Sequence, residues 1–326
     1  MRMGSKIIYL GTPEFAVAPL KAILDAGHDV CAVVTAPDKP TGRGLQISES
    51  AVKTFAKERG LNILQPLSLK EKEFTSILKG YDAHLFVVVA FRMLPREVWS
   101  IPRFGTFNLH ASLLPDYRGA APINHAIING ERVTGVTTFM IDEKIDTGEI
   151  IARRECEITE NDNAGTLHDK LMDLGSGLVT ETIELIISGK AEMIPQSKIT
   201  NQNRTLKEAP KLTKETGLID WCRSATDIFN LIRGLSPYPA AYSTMQNSSR
   251  ELSLKIYSAI PEIPGDTLIF KELKPGEIDS DNKTYLRVGC LNGSVKLTSI
   301  QAAGKKRLEI KDFLAGIRDI GSYKFV

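Results

Sequence analysis

Two polar side chains suited to acid–base chemistry lie two residues apart in the segment 106–123, which reads TFNLHASLLPDYRGAAPI. Asn108 and His110 alternate with apolar residues, and this period of two predicts a β-strand. Side chains at positions i and i+2 leave the same face of a strand, so we expect the amide and the imidazole to project side by side. An amide donor beside a general acid/base is suited to acyl transfer.

A structural role for this histidine has to be weighed against a catalytic one. A single histidine near the end of a strand is more often a hydrogen-bonded structural residue, and an asparagine two positions earlier changes that only a little. The strand is followed by the sequence SLLP, whose Pro115 ends regular strand pairing. A charged loop with Gly119 comes next. A strand end above such a loop suits a reactive site.

Asp146 is the third candidate residue, and it stands in the turn sequence IDTG. Aspartates before glycine are common simply because they form turns. The D-T-G sequence is also the signature of aspartic proteases, but a protease needs two such carboxylates that share a proton. This chain contains one D-T-G, in mixed α/β surroundings, so the sequence argues against a protease.

The motif N-x-H-x-S-L-L-P with a later D-x-G turn resembles the signature of the formyltetrahydrofolate-dependent formyltransferases. The likeness extends along nearly the whole chain and is greatest to members that act on methionyl-tRNA. The resemblance implies transfer of a formyl group from 10-formyltetrahydrofolate to the α-amino group of initiator methionyl-tRNA. Asn108 would donate to the oxyanion, His110 would shuttle a proton from the amine to the leaving nitrogen, and Asp146 would fix the tautomer of His110.

The resemblance also implies where the folate binds. The folate is expected beside the SLLP sequence, with its pterin ring against the loop FRMLP that follows the central strand. This loop replaces the family's usual G-x-x-x-P stretch. No metal or redox cofactor is needed for the chemical step. The expected folate contacts are Ser112, Leu113, Leu114, Pro115, Phe91 and Met93.

Two basic regions are candidates for binding tRNA. Residues 37–44 read PDKPTGRG, a composition typical of an exposed, solvated turn. In the tRNA-formylating members a matching P-x-G-R-G loop enters the acceptor stem, which makes Arg43 a candidate. Residues 200–326 carry 19 Lys and Arg against 14 Asp and Glu, compatible with a polyanionic partner but also with an ordinary charged surface. The candidates there are Lys211, Lys214, Lys305, Lys306 and Arg307.

The elements that position these residues alternate between strand and helix patterns. Strand-like runs are expected at 6–11, 29–36, 62–65, 83–90, 131–141 and 149–158, and helices at 13–27, 51–59, 69–79 and 166–188. This rhythm predicts an α/β domain with a Rossmann-like, doubly wound sheet. The turn after the first strand, GTPE, lacks the G-x-G-x-x-G pattern, which disfavours a dinucleotide cofactor.

The second half of the chain reads as a small β-barrel. A short helix is expected at 225–233, and five strand-like runs at 241–245, 252–259, 266–270, 285–288 and 295–300. Short strands separated by Gly, Pro and Asn turns favour an OB-like barrel, and the tRNA-formylating members carry such a domain. The expected domains are a catalytic domain at 1–189, a linker at 190–210 and a tRNA-binding barrel at 211–326.

The composition of the chain predicts where in the cell the protein is found. The chain has 326 residues, of which 42% are hydrophobic and 25% charged, as in an ordinary globular protein. Its longest apolar run, 85–91, is too short to cross a bilayer, and no secretory leader is evident. Its four cysteines are scattered, which predicts neither a disulfide framework nor a thiolate metal site. These features favour a cytoplasmic protein without a membrane partner.

The sequence leaves three other functions open. A formyltransferase could act instead on the amine of a sugar nucleotide or a ribonucleotide, but the G-R-G loop and the basic second half argue against it. A folate or nucleic-acid binding protein without activity would not need Asn108, His110 and Asp146 together. A hydrolase of formyltetrahydrofolate would share those three residues, but Arg43 would have no role in it.

Overall fold

The computed structural model describes residues 5–41, 46–199, 204–264 and 272–326. Its strands are β1 Lys6–Gly11, β2 Asp29–Val34, β3 Lys39–Thr41, β4 Gln46–Ser48, β5 Ile63–Leu64, β6 Leu85–Val89, β7 Thr106–His110, β8 Arg118–Gly119, β9 Val133–Met140, β10 Ile150–Glu157, β11 Glu208–Ala209, β12 Ala241–Gln246, β13 Glu251–Glu262, β14 Ile278–Ser280, β15 Leu286–Cys290, β16 Gly293–Ala302, β17 Leu308–Glu309 and β18 Lys324–Phe325. Its α-helices are α1 Val17–Asp25, α2 Ala51–Glu58, α3 Lys72–Gly80, α4 Arg96–Trp99, α5 Pro122–Ile128, α6 Ala164–Ile187, α7 Ala225–Leu235 and α8 Ile310–Ala315.

The described chain forms two compact units. The first contains residues up to 119 together with 133–157 and 168–208, and the second contains 120–132, 158–167 and 209–326. The second unit therefore takes in α5, which comes before the expected linker in the sequence. In that unit α5 contacts α7, and the Asn124 side chain donates to the carbonyl of Gly234 at 2.7 Å. The domain boundaries expected from the sequence, 1–189, 190–210 and 211–326, stay a prediction.

The first unit is built on a seven-stranded sheet of order β10-β9-β7-β6-β1-β2-β5. The strands from β5 to β7 run parallel, and β9 and β10 are antiparallel additions at one edge. Strand β6 lies at the centre of this order, and all five of its residues are buried. A central parallel strand covered on both faces needs such an uninterrupted apolar run, so the predicted Rossmann-like sheet is confirmed.

The strand β7 carries the candidate catalytic pair, and its apolar residues anchor it to the helical layer. Phe107 is fully buried and Leu109 is 3% exposed. Leu109 packs against α6 where Gly175 leaves room: a Cβ on that glycine would lie 2.7 Å from a Leu109 methyl group. Leu109 therefore faces α6, which leaves Asn108 and His110 on the opposite face of the sheet.

The second unit contains an antiparallel sheet that nearly closes into a barrel. Its strand order is β14-β15-β16-β13-β12-β18, with β17 paired to β16. A bridge between Glu277 and Lys324 joins the two ends of this order. Inside the barrel the Trp221 indole donates to the Ser243 hydroxyl at 2.9 Å, which satisfies its one polar group. The predicted barrel-like fold of the second half is thus confirmed.

Several predicted elements differ from the observed ones at their ends. The helix expected at 69–79 begins at Lys72, and the strand expected at 29–36 ends at Val34. The barrel gains the short strands β14, β17 and β18, for which the sequence had given no signal. The strand expected at 266–270 lies outside the described residues.

The expected linker segment also carries structure of its own. Ile194 forms a two-way backbone bridge with Ile150 on the edge strand β10. Gln196, in a short 3-10 helix, is 5% exposed. The chain from 194 to 199 is therefore a packed part of the first unit.

We expect Ile8→Ala to destabilise the first unit by about 2–5 kcal/mol, because Ile8 lies on β1 with no exposed surface and a cavity would remain. Urea unfolding measures the loss. Ile77→Ala is the matched control, since Ile77 is 42% exposed on the same unit and its truncation should cost far less. Equal losses from the two substitutions would contradict this description of the core.

Candidate functional site

The structure places His110 and Asp146 next to one another although they are far apart in the sequence. His110 lies at the end of β7 and is 7% exposed. Its Nδ1 atom is 3.8 Å from the Asp146 Oδ2 atom. This separation is too long for a hydrogen bond, so the carboxylate faces the ring nitrogen without bonding to it.

The second ring nitrogen determines the tautomer of His110. Its Nε2 atom lies 2.8 Å from the backbone carbonyl oxygen of Tyr117. A carbonyl oxygen only accepts hydrogen bonds, so Nε2 must carry the hydrogen. In the neutral ring, Nδ1 is then the nitrogen with a free lone pair. His110 is therefore arranged to accept a proton on Nδ1, on the side that faces Asp146.

Asp146 lies in the connection 141–149 between β9 and β10. Its backbone has a φ of 55°, in the left-handed region, and its Oδ2 atom accepts a hydrogen bond from the Gly119 amide at 3.0 Å. Gly148 is required by close approach, since a Cβ there would lie 1.7 Å from the Met140 carbonyl oxygen. The D-T-G sequence thus provides the carboxylate of Asp146 and also a glycine that lets the backbone approach Met140 closely.

Asn108 presents a buried polar atom that the protein itself does not satisfy. Among the residues that the structure describes, its Oδ1 atom has no hydrogen-bond partner. Buried side-chain oxygens are nearly always hydrogen-bonded, so an exception calls for an explanation. A hydrogen-bond donor on a ligand would supply the missing contact. Of the three catalytic candidates, the structure thus joins His110 to Asp146 and leaves Asn108 with an open acceptor two residues along the strand.

The turn after β7 is held by Thr137, a residue that the sequence analysis missed. The fully buried Thr137 hydroxyl donates to the Ser112 carbonyl at 2.6 Å and accepts from the Leu114 amide at 3.1 Å. Ser112 is buried as well, and its hydroxyl donates to the Asp116 carbonyl at 2.7 Å. A threonine on an inner strand gave no signal in the sequence, because threonine is an ordinary strand residue.

The other expected folate contacts differ in exposure. Leu114 and Pro115 are buried, and Leu114 packs against Phe139 and Ile150. Leu113 lines a cavity of about 380 Å³ beside β10. The folate contacts of the SLLP segment stay a prediction, and the side chains of Ser112 and Leu114 already have partners inside the protein.

The loop after β6 offers an exposed apolar surface. Met93 is 71% exposed, and Phe91 is half-buried. The intervening Arg92 donates to the backbone carbonyls of Pro66 and Leu67, at 2.9 and 3.2 Å. Leu67 is itself 80% exposed. Two loops are thus fastened together with apolar side chains at their surface, an arrangement suited to a flat aromatic ligand.

The loop that carries Arg43 is described only at its base. Arg43 itself lies outside the described residues. The strands β3 and β4 pair antiparallel on either side of it. Asp38 accepts hydrogen bonds from Lys53 at 2.5 Å and from Gln65 at 2.9 Å, and these contacts lower the pKa of its carboxyl group.

The basic candidates of the second unit lie on its surface. Arg307 differs from the others because it already has partners: its guanidinium lies 4.6 Å from the Tyr257 ring centroid and donates to the Ser299 hydroxyl at 2.7 Å. Their tRNA contacts stay a prediction. The exposed candidates are Lys211, Lys214, Lys305, Lys306 and Arg307.

The described part of the chain shows neither a cluster of metal-binding side chains nor a helix that could span a membrane. Across residues 5–41, 46–199, 204–264 and 272–326, no three His, Cys, Asp or Glu side chains are grouped so that they could hold a metal ion. Within these ranges, none of the helices has the length and apolar character that crossing a membrane requires.

Comparisons with known proteins define the class of this chain. The formyl transferase family matches residues 5–183, and the formyl transferase C-terminal domain matches residues 211–318. The chain therefore belongs to the formyl transferase family and is a formyl-transferring enzyme. This confirms the resemblance first drawn from the N-x-H-x-S-L-L-P motif and the D-x-G turn.

Curated relatives are similar over almost their whole length. The methionyl-tRNA formyltransferase of Parabacteroides distasonis is 48% identical over 98% of this chain and 97% of its own. That of Flavobacterium johnsoniae is 49% identical over 96% of both chains. Among solved structures, the sugar 3N-formyl transferase WlaRD has a TM-score of 0.63 at 22% identity and covers 94% of this chain and 100% of its own. At that identity the structural match supports the fold alone.

We expect Thr137→Val to destabilise the protein by about 1–3 kcal/mol, because it leaves the Ser112 carbonyl and the Leu114 amide without their buried partner. Thermal and urea unfolding measure the loss. Thr137→Ser keeps the hydroxyl and should recover part of the stability. If valine were tolerated as well as serine, these two hydrogen bonds would not be what holds the turn.

Proposed function

We propose that this protein transfers the formyl group of 10-formyltetrahydrofolate to the free α-amino group of initiator methionyl-tRNA. The observation that carries the proposal is the paired His110 and Asp146, with the His110 tautomer set by the Tyr117 carbonyl. The relatives similar over the full length, at 44–49% identity, are methionyl-tRNA formyltransferases, which supports methionyl-tRNA as the acceptor. The product would be N-formylmethionyl-tRNA for translation initiation.

The proposed mechanism assigns one task to each residue of the catalytic trio. Asn108 donates its amide N–H to the formyl oxygen as negative charge develops there, and its Oδ1 atom accepts from the attacking amine. His110 takes the amine proton on Nδ1 and delivers it to the departing nitrogen of the folate. Asp146 stabilises the imidazolium that exists between these two transfers. The new bond joins the amine nitrogen to the formyl carbon, and the bond from that carbon to the folate nitrogen breaks.

The formyl donor would lie across the loops at the surface of the first unit. Met93 and Phe91 are the proposed apolar contacts for the pterin ring, since Met93 is 71% exposed. The turn 112–115 is proposed to contact the folate as well, largely through its backbone, because the Ser112 and Leu114 side chains are committed elsewhere. The chemistry assigned to the trio requires no metal ion.

The acceptor would be held by two regions of the chain. Arg43 is proposed to contact the acceptor end, since a guanidinium forks onto phosphates or base edges. We propose that exposed basic side chains of the second unit bind the phosphate backbone of the tRNA less specifically. These are Lys211, Lys214, Lys305, Lys306 and Arg307. Because initiator tRNA is charged with methionine in the cytoplasm, we propose that the protein acts there.

One incubation tests the reaction directly. Purified protein is mixed with 10-formyltetrahydrofolate and either methionyl-tRNA, an amino sugar nucleotide or glycinamide ribonucleotide. We expect acid-stable formylmethionine with methionyl-tRNA and no formylated product with the small amines. Formylation of a small amine alone would replace the proposed acceptor. Release of formate without any transfer would point to a hydrolase.

We expect His110→Ala, Asn108→Ala and Asp146→Asn each to lower kcat on the order of 10²-fold or more, because each removes a contact to the transition state. Steady-state kinetics and tRNA binding are measured together, and binding should change little. His84→Ala is the matched control, since His84 lies at the opposite end of the parallel strands and packs edge-on against Phe104. More than about a tenth of wild-type activity in His110→Ala would remove His110 from the base role.

We expect Arg43→Ala to lower kcat/KM for methionyl-tRNA strongly, because a displaced 3′ end cannot bring its amine within roughly 3–3.5 Å of the formyl carbon. Folate binding, measured alone, should survive. Lys305→Ala is the comparison: it should weaken tRNA binding modestly and lower the salt dependence by about one unit of slope. Normal formylation by Arg43→Ala would favour a small-molecule acceptor.

A further inference from the structure

Gln196 has a buried side-chain amide whose nitrogen and oxygen both form hydrogen bonds within the protein. Its side-chain nitrogen donates to the backbone carbonyls of Asp146 and Gly148, at 2.9 and 2.8 Å. Its side-chain oxygen accepts from the Arg118 guanidinium, at 2.6 Å from Nη2 and 3.2 Å from Nε. Gln196 is 5% exposed, and these hydrogen bonds of its side chain are made to other groups of the protein. A buried polar group whose hydrogen bonds are satisfied in this way makes the surrounding structure rigid and specifies its conformation.

The partners of Gln196 lie on the two chain segments that are joined by the hydrogen bond from Gly119 to Asp146. Asp146 supplies the carboxylate oxygen that accepts from the Gly119 amide at 3.0 Å, and Arg118 is the residue before that glycine. Gln196 thus fixes the chain on the acceptor side through Asp146 and Gly148, and on the donor side through Arg118. The same Asp146 oxygen is the one that faces His110 Nδ1 at 3.8 Å.

We infer that Gln196 is a positioning residue for the formyl transfer proposed above, on which this inference rests. It closes the Asp146 turn onto the Arg118–Gly119 strand and so holds the carboxylate beside His110. The left-handed backbone of Asp146, with φ of 55°, is a conformation that needs outside contacts to persist. Gln196 supplies one such contact at the Asp146 carbonyl and a second to the same turn at the Gly148 carbonyl. It touches no reacting atom, and it acts through Asp146.

Two substitutions of Gln196 separate its contacts. Gln196→Leu removes the contacts to both sides. Gln196→Glu is nearly isosteric and keeps an acceptor for Arg118, but it cannot donate to the Asp146 and Gly148 carbonyls. The matched control is Thr182→Val, which removes a buried hydroxyl of the same unit that donates to Leu178 and pairs with Thr138. The control should lose stability without changing the chemistry.

Kinetics give the first readout. We expect both Gln196 variants to lower kcat about tenfold or more, because a small displacement of a positioned catalytic group is costly. KM for methionyl-tRNA and for the folate should stay within about threefold, since Gln196 contacts neither substrate. Thr182→Val should keep the wild-type kcat. A kcat within about twofold of wild type in the folded Gln196→Glu variant would overturn the inference.

Hydrogen exchange of the Gly119 amide gives a second readout that needs no substrate. This amide donates to Asp146, so in the wild type it should exchange slowly, and in both Gln196 variants about tenfold faster. The Leu114 amide, which donates to Thr137, is the internal reference and should not change. Unchanged protection of Gly119 would also overturn the inference. If Gln196→Leu fails to fold, Gln196→Glu decides both readouts.

Failure of this inference is distinguishable from failure of the proposed function. A wild-type protein that does not formylate methionyl-tRNA would refute the proposed acceptor, whatever the variants do. The Gly119 exchange would still report whether Gln196 holds the turn. Wild-type formylation with unaffected Gln196 variants would refute the positioning role alone.

Discussion

The candidate site depends on one constraint, the placement of acceptor oxygens on both sides of a single imidazole. The Tyr117 carbonyl fixes the hydrogen on Nε2 of His110, and the Asp146 carboxylate faces Nδ1. Neither oxygen lies on β7, which carries the ring, so both depend on loops that return to the strand. Much of the first unit can be understood as the structure that holds these two loops in place.

The loops are held mainly by hydrogen bonds to backbone atoms. Thr137 bonds the turn at Ser112 and Leu114 to the strand β9, and Gln196 bonds the turn at Asp146 and Gly148. Each of these side chains is buried, so water does not compete for its partners. Hydrogen bonds in such surroundings are costly to break, which makes the loops rigid although they lie outside the sheet.

The sheet of the first unit and the loops at its surface have different roles. Strand β7 is fixed through Leu109 against α6, while exposed apolar side chains such as Met93 and Leu67 lie on the loops. Function concentrates on loops held by a rigid scaffold, because catalysis needs fixed geometry and binding needs accessible surface. The second unit adds a barrel-like sheet whose surface carries the basic residues.

Local sequence patterns were sufficient to predict the class of fold and the pair of polar residues on β7. Alternation of period two placed Asn108 and His110 on one face, and uninterrupted apolar runs identified the parallel strands, because these patterns follow directly from backbone geometry. The D-T-G turn marked Asp146 as a candidate. Element ends and the short barrel strands were missed, since two- and three-residue strands depend on pairing with distant partners and not on local pattern.

The arrangement of the candidate residues in space followed from long-range contacts that no local pattern signals. It brought Asp146 to His110, and it revealed the Tyr117 carbonyl as the group that fixes the tautomer. No residue type signals such a contact, because every residue has a carbonyl and its direction depends on the folded loop. Thr137 and Gln196 were missed for the same reason. Their side chains act on backbone atoms far away in the sequence, and the fold alone brings those atoms within reach.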